Sequence, residues 1–214
     1  MRQAEYFLLD QLPLALPSMI PSTLKLSYAA ARALIGPEAI LNVPSARDNW
    51  GRIISWSVDF GFEKLVKSGQ WPFEVRWSSF VRPTGQFLEI FLSHSCLTIS
   101  QVIDPREQPR DVQFRRNRRL NNQDYLDLPE FRKERQIQGL PHIILAHGHQ
   151  TLSFAQLGIP NEDHSHGYIY RTPNLMLMPH EVVTPEPPPE DTDIEAVMTL
   201  KEEIEKWRRD NGDR

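Results

Sequence analysis

Residues 46–103 read ARDNWGRIISWSVDFGFEKLVKSGQWPFEVRWSSFVRPTGQFLEIFLSHSCLTISQVI. Within this stretch the apolar period changes once. Trp50, Ile54, Val58, Phe62 and Leu65 recur at three- and four-residue spacing, which places them on one stripe of a helix. Trp56 and Phe60 widen that stripe, Ser68-Gly69 ends it, and Lys64 and Lys67 suit the negative end of the helix. Ser45 with Asp48 three residues on resembles a capping box, so the pattern predicts a central helix over 46–68. From Phe73 the period becomes two: Phe73, Val75 and Trp77 alternate with Glu74, Arg76 and Ser78. Arg82-Pro83-Thr84-Gly85 reads as a turn. Phe87 to Leu92 is a second strand and Cys96 to Ile103 a third. The second is apolar on both parities except at Glu89, the pattern of a middle strand covered on both faces. The fold class is therefore α+β, an antiparallel meander packed on a central helix.

Outward from this core, the N-terminal residues 1–21 carry apolar side chains interrupted by Pro13, Pro17 and Pro21. Proline removes a donor and biases its predecessor away from helix, so an extended arm is expected, followed by a helix over 23–35 that Gly36-Pro37 stops. On the other side, residues 104–122 hold Arg106, Arg110, Arg115, Arg116, Arg118 and Arg119 with little apolar content, and read as a long loop. A short helix over 129–137, a buried-type strand over 142–146, a small element near 151–157 and a strand over 166–171 complete a domain spanning 22–180. Residues 181–193, with Pro185, Pro187, Pro188 and Pro189 among acids, form an extended linker. The last segment, 194–214, contains a helix whose Val197, Leu200, Ile204 and Trp207 make a narrow apolar seam, more like a partner-docking face than a core face; the alternative is that the helix folds back on its own domain. No internal repeat is present.

Bulk properties bound the function. Of 214 residues one is cysteine, which allows no internal disulfide and fits a reducing compartment. No apolar run approaches the roughly 18 residues that cross a bilayer, and the proline-broken start is a poor signal peptide; a cytoplasmic protein with no membrane partner is expected. The formal charge of −4 argues against a wholesale nucleic-acid coat and leaves room for a local basic patch. No phosphate-cradling glycine loop and no nucleophile elbow occur. Cys96, at the start of a buried-type strand, reads as a core thiol.

Six of the seven histidines lie between 142 and 180, and four form two H-x-H pairs, His147/His149 and His164/His166. Residues two apart on a strand share a face. If the two segments are neighbours, four imidazoles converge on a divalent metal such as zinc, and an open position would activate water. Gly148 and Gly167 also make each pair resemble a turn, with the histidines as loop residues. Among the arginines, Arg110, Arg115, Arg116, Arg118 and Arg119 are the candidates for phosphate contacts on nucleic acid.

The element order α-β-β-β-α-β is similar to the core of the PD-(D/E)xK nucleases. That resemblance implies an acid on the second strand, where Glu89 stands, and an acid-x-lysine on the third. Here the third strand reads Leu97-Thr98-Ile99-Ser100-Gln101 and has no acid-x-lysine.

Two functions of different class follow. The first is a cytoplasmic interaction or regulatory protein. It docks a protein partner, or a second copy, through Val197, Leu200, Ile204 and Trp207, and touches nucleic acid through the arginine loop. The alternative is a metal-dependent hydrolase, of nuclease type, built on the histidine pairs.

Overall fold

The computed structural model describes residues 3–80, 85–112, 115–116, 118, 140–161 and 163–178, with 199, 202–203 and 205–206 near the C-terminus. Helices α1 (Gln3–Gln11), α2 (Met19–Ile35), α3 (Pro44–Arg47) and α4 (Trp50–Lys67) precede strands β1 (Glu74–Ser79), β2 (Gln86–Phe91), β3 (Cys96–Val102), β4 (His142–Gly148), β5 (Ala155–Pro160) and β6 (Tyr168–Arg171). The six strands form one sheet in the order β1-β2-β3-β4-β5-β6. All neighbours are antiparallel except β3 and β4, which run parallel. The α+β class holds, and β2 is the middle strand of the meander, as its composition requires. No helix among the described residues is long and apolar enough to cross a membrane.

Strand register sorts the side chains onto two faces. Val75, Trp77, Leu88, Ile90, Leu97, Ile99, Ile143, Leu145 and Leu157 share one face. That face meets α1, α2 and α4 in the main core, which includes Leu8, Leu24, Val58, Phe62 and Trp71. The other face carries Arg76, Glu89, Thr98 and Ser100 over one half and a small apolar cluster of Val102, Ile144, Ala146 and Phe154 over the other.

Helices α2 and α4 approach closely because small residues line their contact. A Cβ at Gly61 would stand 2.4 Å from the Ser27 hydroxyl oxygen, so any larger residue there would force the Ser27 side chain to move. Deep burial of Ser27, Ala31, Ser57 and Val58 reflects the same approach.

The N-terminal reading is corrected. Residues 3–11 are helical, and Ala4, Leu8 and Leu12 join the main core. Pro13 and Pro17 fall in the turn between helices, and Pro21 sits in the first turn of α2, where its missing N–H has no helical partner to lose. The capping box is also corrected. Ser45 lies in the separate short helix α3, and α4 starts at Trp50 after Asn49, which makes no side-chain cap bond. The expected helix over 129–137 and the linker over 181–193 lie outside the described residues.

Candidate functional site

The histidine pairs are set apart by the strands that carry them. Ile144 is opposite Gly158 and His147 opposite Ala155, so β5 leaves the sheet where β4 begins. The His164 segment follows β5, whereas His147 and His149 lie where β4 ends. The length of β4, roughly 20 Å at 3.3 Å per residue, separates them. The four-histidine centre is therefore not assembled. Nor do His164 and His166 share a strand face, because they form a 3-10 turn. His164 meets the Pro109 carbonyl through Nε2 at 3.0 Å, and exposed His166 meets Asp163 through Nδ1 at 2.8 Å. No group of three His, Cys, Asp or Glu residues suited to a metal occurs among the described residues.

His147 is different. It is 1% exposed and lies on the helix-facing side of β4, next to Gln101 of β3 in register. Its Nδ1 is 2.8 Å from the Tyr28 hydroxyl, which donates its one proton to the Gly148 carbonyl. Tyr28 must then accept from His147, so the proton resides on Nδ1 and the lone pair on Nε2. Burial lowers the His147 pKa to about 4, assisted by the nearby His149 and opposed by the Gly148 carbonyl. The imidazole is neutral at ordinary pH. Tyr28 in turn is pushed up by burial and keeps its proton.

His149 is exposed and leans over the start of α4. Its ring Cε1 lies 3.0 Å, and its Nδ1 3.7 Å, from the point where a Gly51 Cβ would stand; Gln101 Oε1 lies 3.4 Å from the same point. Gln101 is held by its Nε2, which donates to the Gly51 carbonyl at 2.7 Å and to Ser55 Oγ at 3.0 Å. Its Oε1 is buried and finds no hydrogen-bond partner among the described residues.

Gly51, Ser55, Asp59 and Glu63 recur every four residues along α4, a polar line beside the apolar stripe. Glu63 accepts from the Trp77 indole at 3.0 Å and pairs with Lys67 at 2.8 Å. Asp59, half-buried between Ser55 and Glu63, has its pKa raised to about 7 by burial and by the Glu63 carboxylate. His147 within β4 is thus a neutral base, and Asp59 on α4 is a carboxyl poised near neutrality. Opposed shifts of this kind are common where proteins bind or react. The i+4 polar line was legible in the sequence; Tyr28 and Gln101 carried no local signal.

The arginine loop turns inward. Arg118 binds Glu89 Oε1, Arg76 reaches Oε2 at 3.1 Å, and Ser78 donates to the same oxygen at 2.5 Å. Glu89 is 0% exposed and Arg118 22%. Arg115 donates to Ser100 Oγ at 2.7 Å and to the Arg110 carbonyl at 2.9 Å. Arg116 pairs with Asp111 in an exposed position, and Arg110 is exposed. Arg119 lies outside the described residues. Beside Glu89, β3 presents Thr98 and Ser100, hydroxyls in place of an acid and a lysine. Cys96, buried, has its thiol pushed up to about 11, chiefly by burial, and is no nucleophile.

Of the C-terminal helix, the seam residues Val197, Leu200, Ile204 and Trp207 lie outside the described residues. Glu203, beside that seam, meets Lys64 of α4 at 2.6 Å. Trp56, Phe60 and Lys64 follow one another at four-residue spacing, and Trp56 is 51% exposed. The chain matches no protein-family model, no curated protein and no solved structure.

Proposed function

We propose that this chain is a cytoplasmic interaction and regulatory protein whose C-terminal helix is a reversible docking element. The observation that carries this reading is the Lys64–Glu203 pair, which ties the C-terminal segment to the outer side of α4. Both side chains are about half exposed, and such pairs contribute about 0–1 kcal/mol. A contact so weak is readily exchanged. The seam of Val197, Leu200, Ile204 and Trp207 has the narrow form of a helix that lies in an apolar groove. Exposed Trp56 with Phe60 supplies an apolar surface next to Lys64.

The arginine loop enters this reading only in part. Arg115 and Arg118 are engaged on the sheet, which leaves Arg110 and Arg116 facing outward for an anionic partner. The hydrolase reading loses its four-ligand centre to the separation of the histidine pairs.

Charge reversal at Lys64→Glu should release the C-terminal segment and raise amide hydrogen exchange over 194–209. Adding Glu203→Lys should restore protection. Deletion of 190–214 should alter the assembly mass measured by light scattering. Unchanged exchange in the single variant together with unchanged mass after deletion would end the proposal.

A further inference from the structure

Polar side chains gather where β3 and β4 end, and the docking reading makes no use of them. β3 and β4 are the one parallel pair in the described sheet, and the ends of parallel strands are where α/β sheets place ligands. Gln101 and His147 are register partners there, and His149 follows two residues on.

We propose that Gln101, His147 and His149 hold a divalent first-row cation of the zinc type, through two imidazole nitrogens and one amide oxygen.

Three features prepare these groups. First, Tyr28 fixes His147 as the Nδ1–H tautomer and leaves the Nε2 lone pair for a metal. A hydrogen bond on the far ring nitrogen is the usual outer support of a metal-bound histidine. Second, the Gln101 amide cannot turn over. Its Nε2 donates to the Gly51 carbonyl, which can only accept, so Oε1 is committed to the other side, where it is buried and without a partner among the described residues. A buried carbonyl-type oxygen left so is unfavourable, and a cation would satisfy it. Third, Gly51 makes the room: a Cβ there would stand 3.0 Å from the His149 ring and 3.4 Å from Gln101 Oε1. Both groups therefore border one small space above the first turn of α4.

Ligand chemistry selects the ion. Imidazole suits zinc, nickel and copper, whereas magnesium and calcium require sets of oxygens. Three protein ligands leave a position for water.

The test uses the full chain, freed of metal by a chelator and titrated with Zn²⁺ alone by calorimetry. One ion per chain is expected. His149→Ala and Gln101→Ala should each weaken binding at least about 10-fold, and Tyr28→Phe by about 10–100-fold, as outer partners of metal ligands do. Gly51→Ala should weaken binding while leaving the fold at least as stable, since alanine favours a helix over glycine. His166→Ala should change nothing. The proposal is overturned if the wild-type chain takes up no ion at one-to-one ratio, or if His149→Ala binds as the wild type does. Because His149 is exposed, its replacement does not endanger folding. These outcomes are independent of whether the C-terminal helix docks.

Discussion

Asp59→Asn should make the protein more stable at pH 8 and leave it unchanged at about pH 3, below the unfolded-state value of 3.8. The carboxyl of Asp59 is held at about 7 in the folded chain, against an ordinary value of 3.8. Below pH 3.8 it is protonated in both states. As pH rises through 3.8 toward 7 the unfolded chain releases the proton and the folded chain retains it, so stability falls across that window. The full difference would be about 4 kcal/mol at 1.36 kcal/mol per pH unit. Asp59 is half-buried rather than sealed, and solvent screening reduces this to about 1–2 kcal/mol. Asparagine has the size of the protonated acid and no charge, so it should recover that amount at pH 8. His147 acts in the opposite direction. Its pKa of about 4 lies below the ordinary 6.5, so its stabilising contribution is complete above pH 6.5 and lost as pH falls toward 4, by about 3 kcal/mol in full. In the wild type the two terms oppose each other and flatten the profile. In Asp59→Asn the His147 term stands alone, and stability should rise steadily from pH 4 to 6.5. Urea unfolding at half-unit pH steps measures both curves. A stability difference between variant and wild type that is the same at about pH 3 and about pH 8 would refute the burial of a proton at Asp59.

Arg118→Ala should destabilise the fold by about 2–4 kcal/mol, because it strips a guanidinium from a carboxylate buried on the sheet; Arg116→Ala, which removes an exposed pair, should cost less than about 1 kcal/mol. Chemical denaturation of both variants separates a bracing loop from a solvated one, and equal losses would contradict the inward placement of Arg118. Cys96 should resist a thiol reagent at pH 8 on the timescale of mixing and react only as fast as the chain opens, since its thiol is buried and held at about 11. Immediate stoichiometric labelling of the folded protein would show that the start of β3 is open.

The buried charge at Glu89 shows how far composition can mislead about purpose. A cluster of arginines suggests an external anion, yet two of these side chains serve anions and hydroxyls of their own sheet. A guanidinium is long and forked, and it can brace a distant strand as readily as it can face solvent. The same caution applies to spacing. An H-x-H pair presents both rings to one side only in an extended strand; His164 and His166 lie in a 3-10 turn, where that rule fails.

The sequence by itself determined the central helix, the three-strand meander and the rank of β2 within it. Those features rest on local period: Val58 and Phe62 must share a helical face, and Val75 and Trp77 a strand face, whatever surrounds them. It also marked residues 142–146 as a buried-type strand. Only the tertiary structure decided that Pro13 and Pro17 fall between helices and Pro21 in the first turn of α2 rather than within an arm, because a proline is neutral in a turn or a first helical turn and costly only inside. Only the tertiary structure decided that β4 runs parallel to β3. That choice brings Gln101 beside His147, and the antiparallel pairing of β5 with β4 carries the second histidine pair to the far end of the strand. Tyr28 fixes the His147 tautomer from 119 residues away. Contacts of that kind depend on how layers stack and in which register, and no local pattern of residues encodes them.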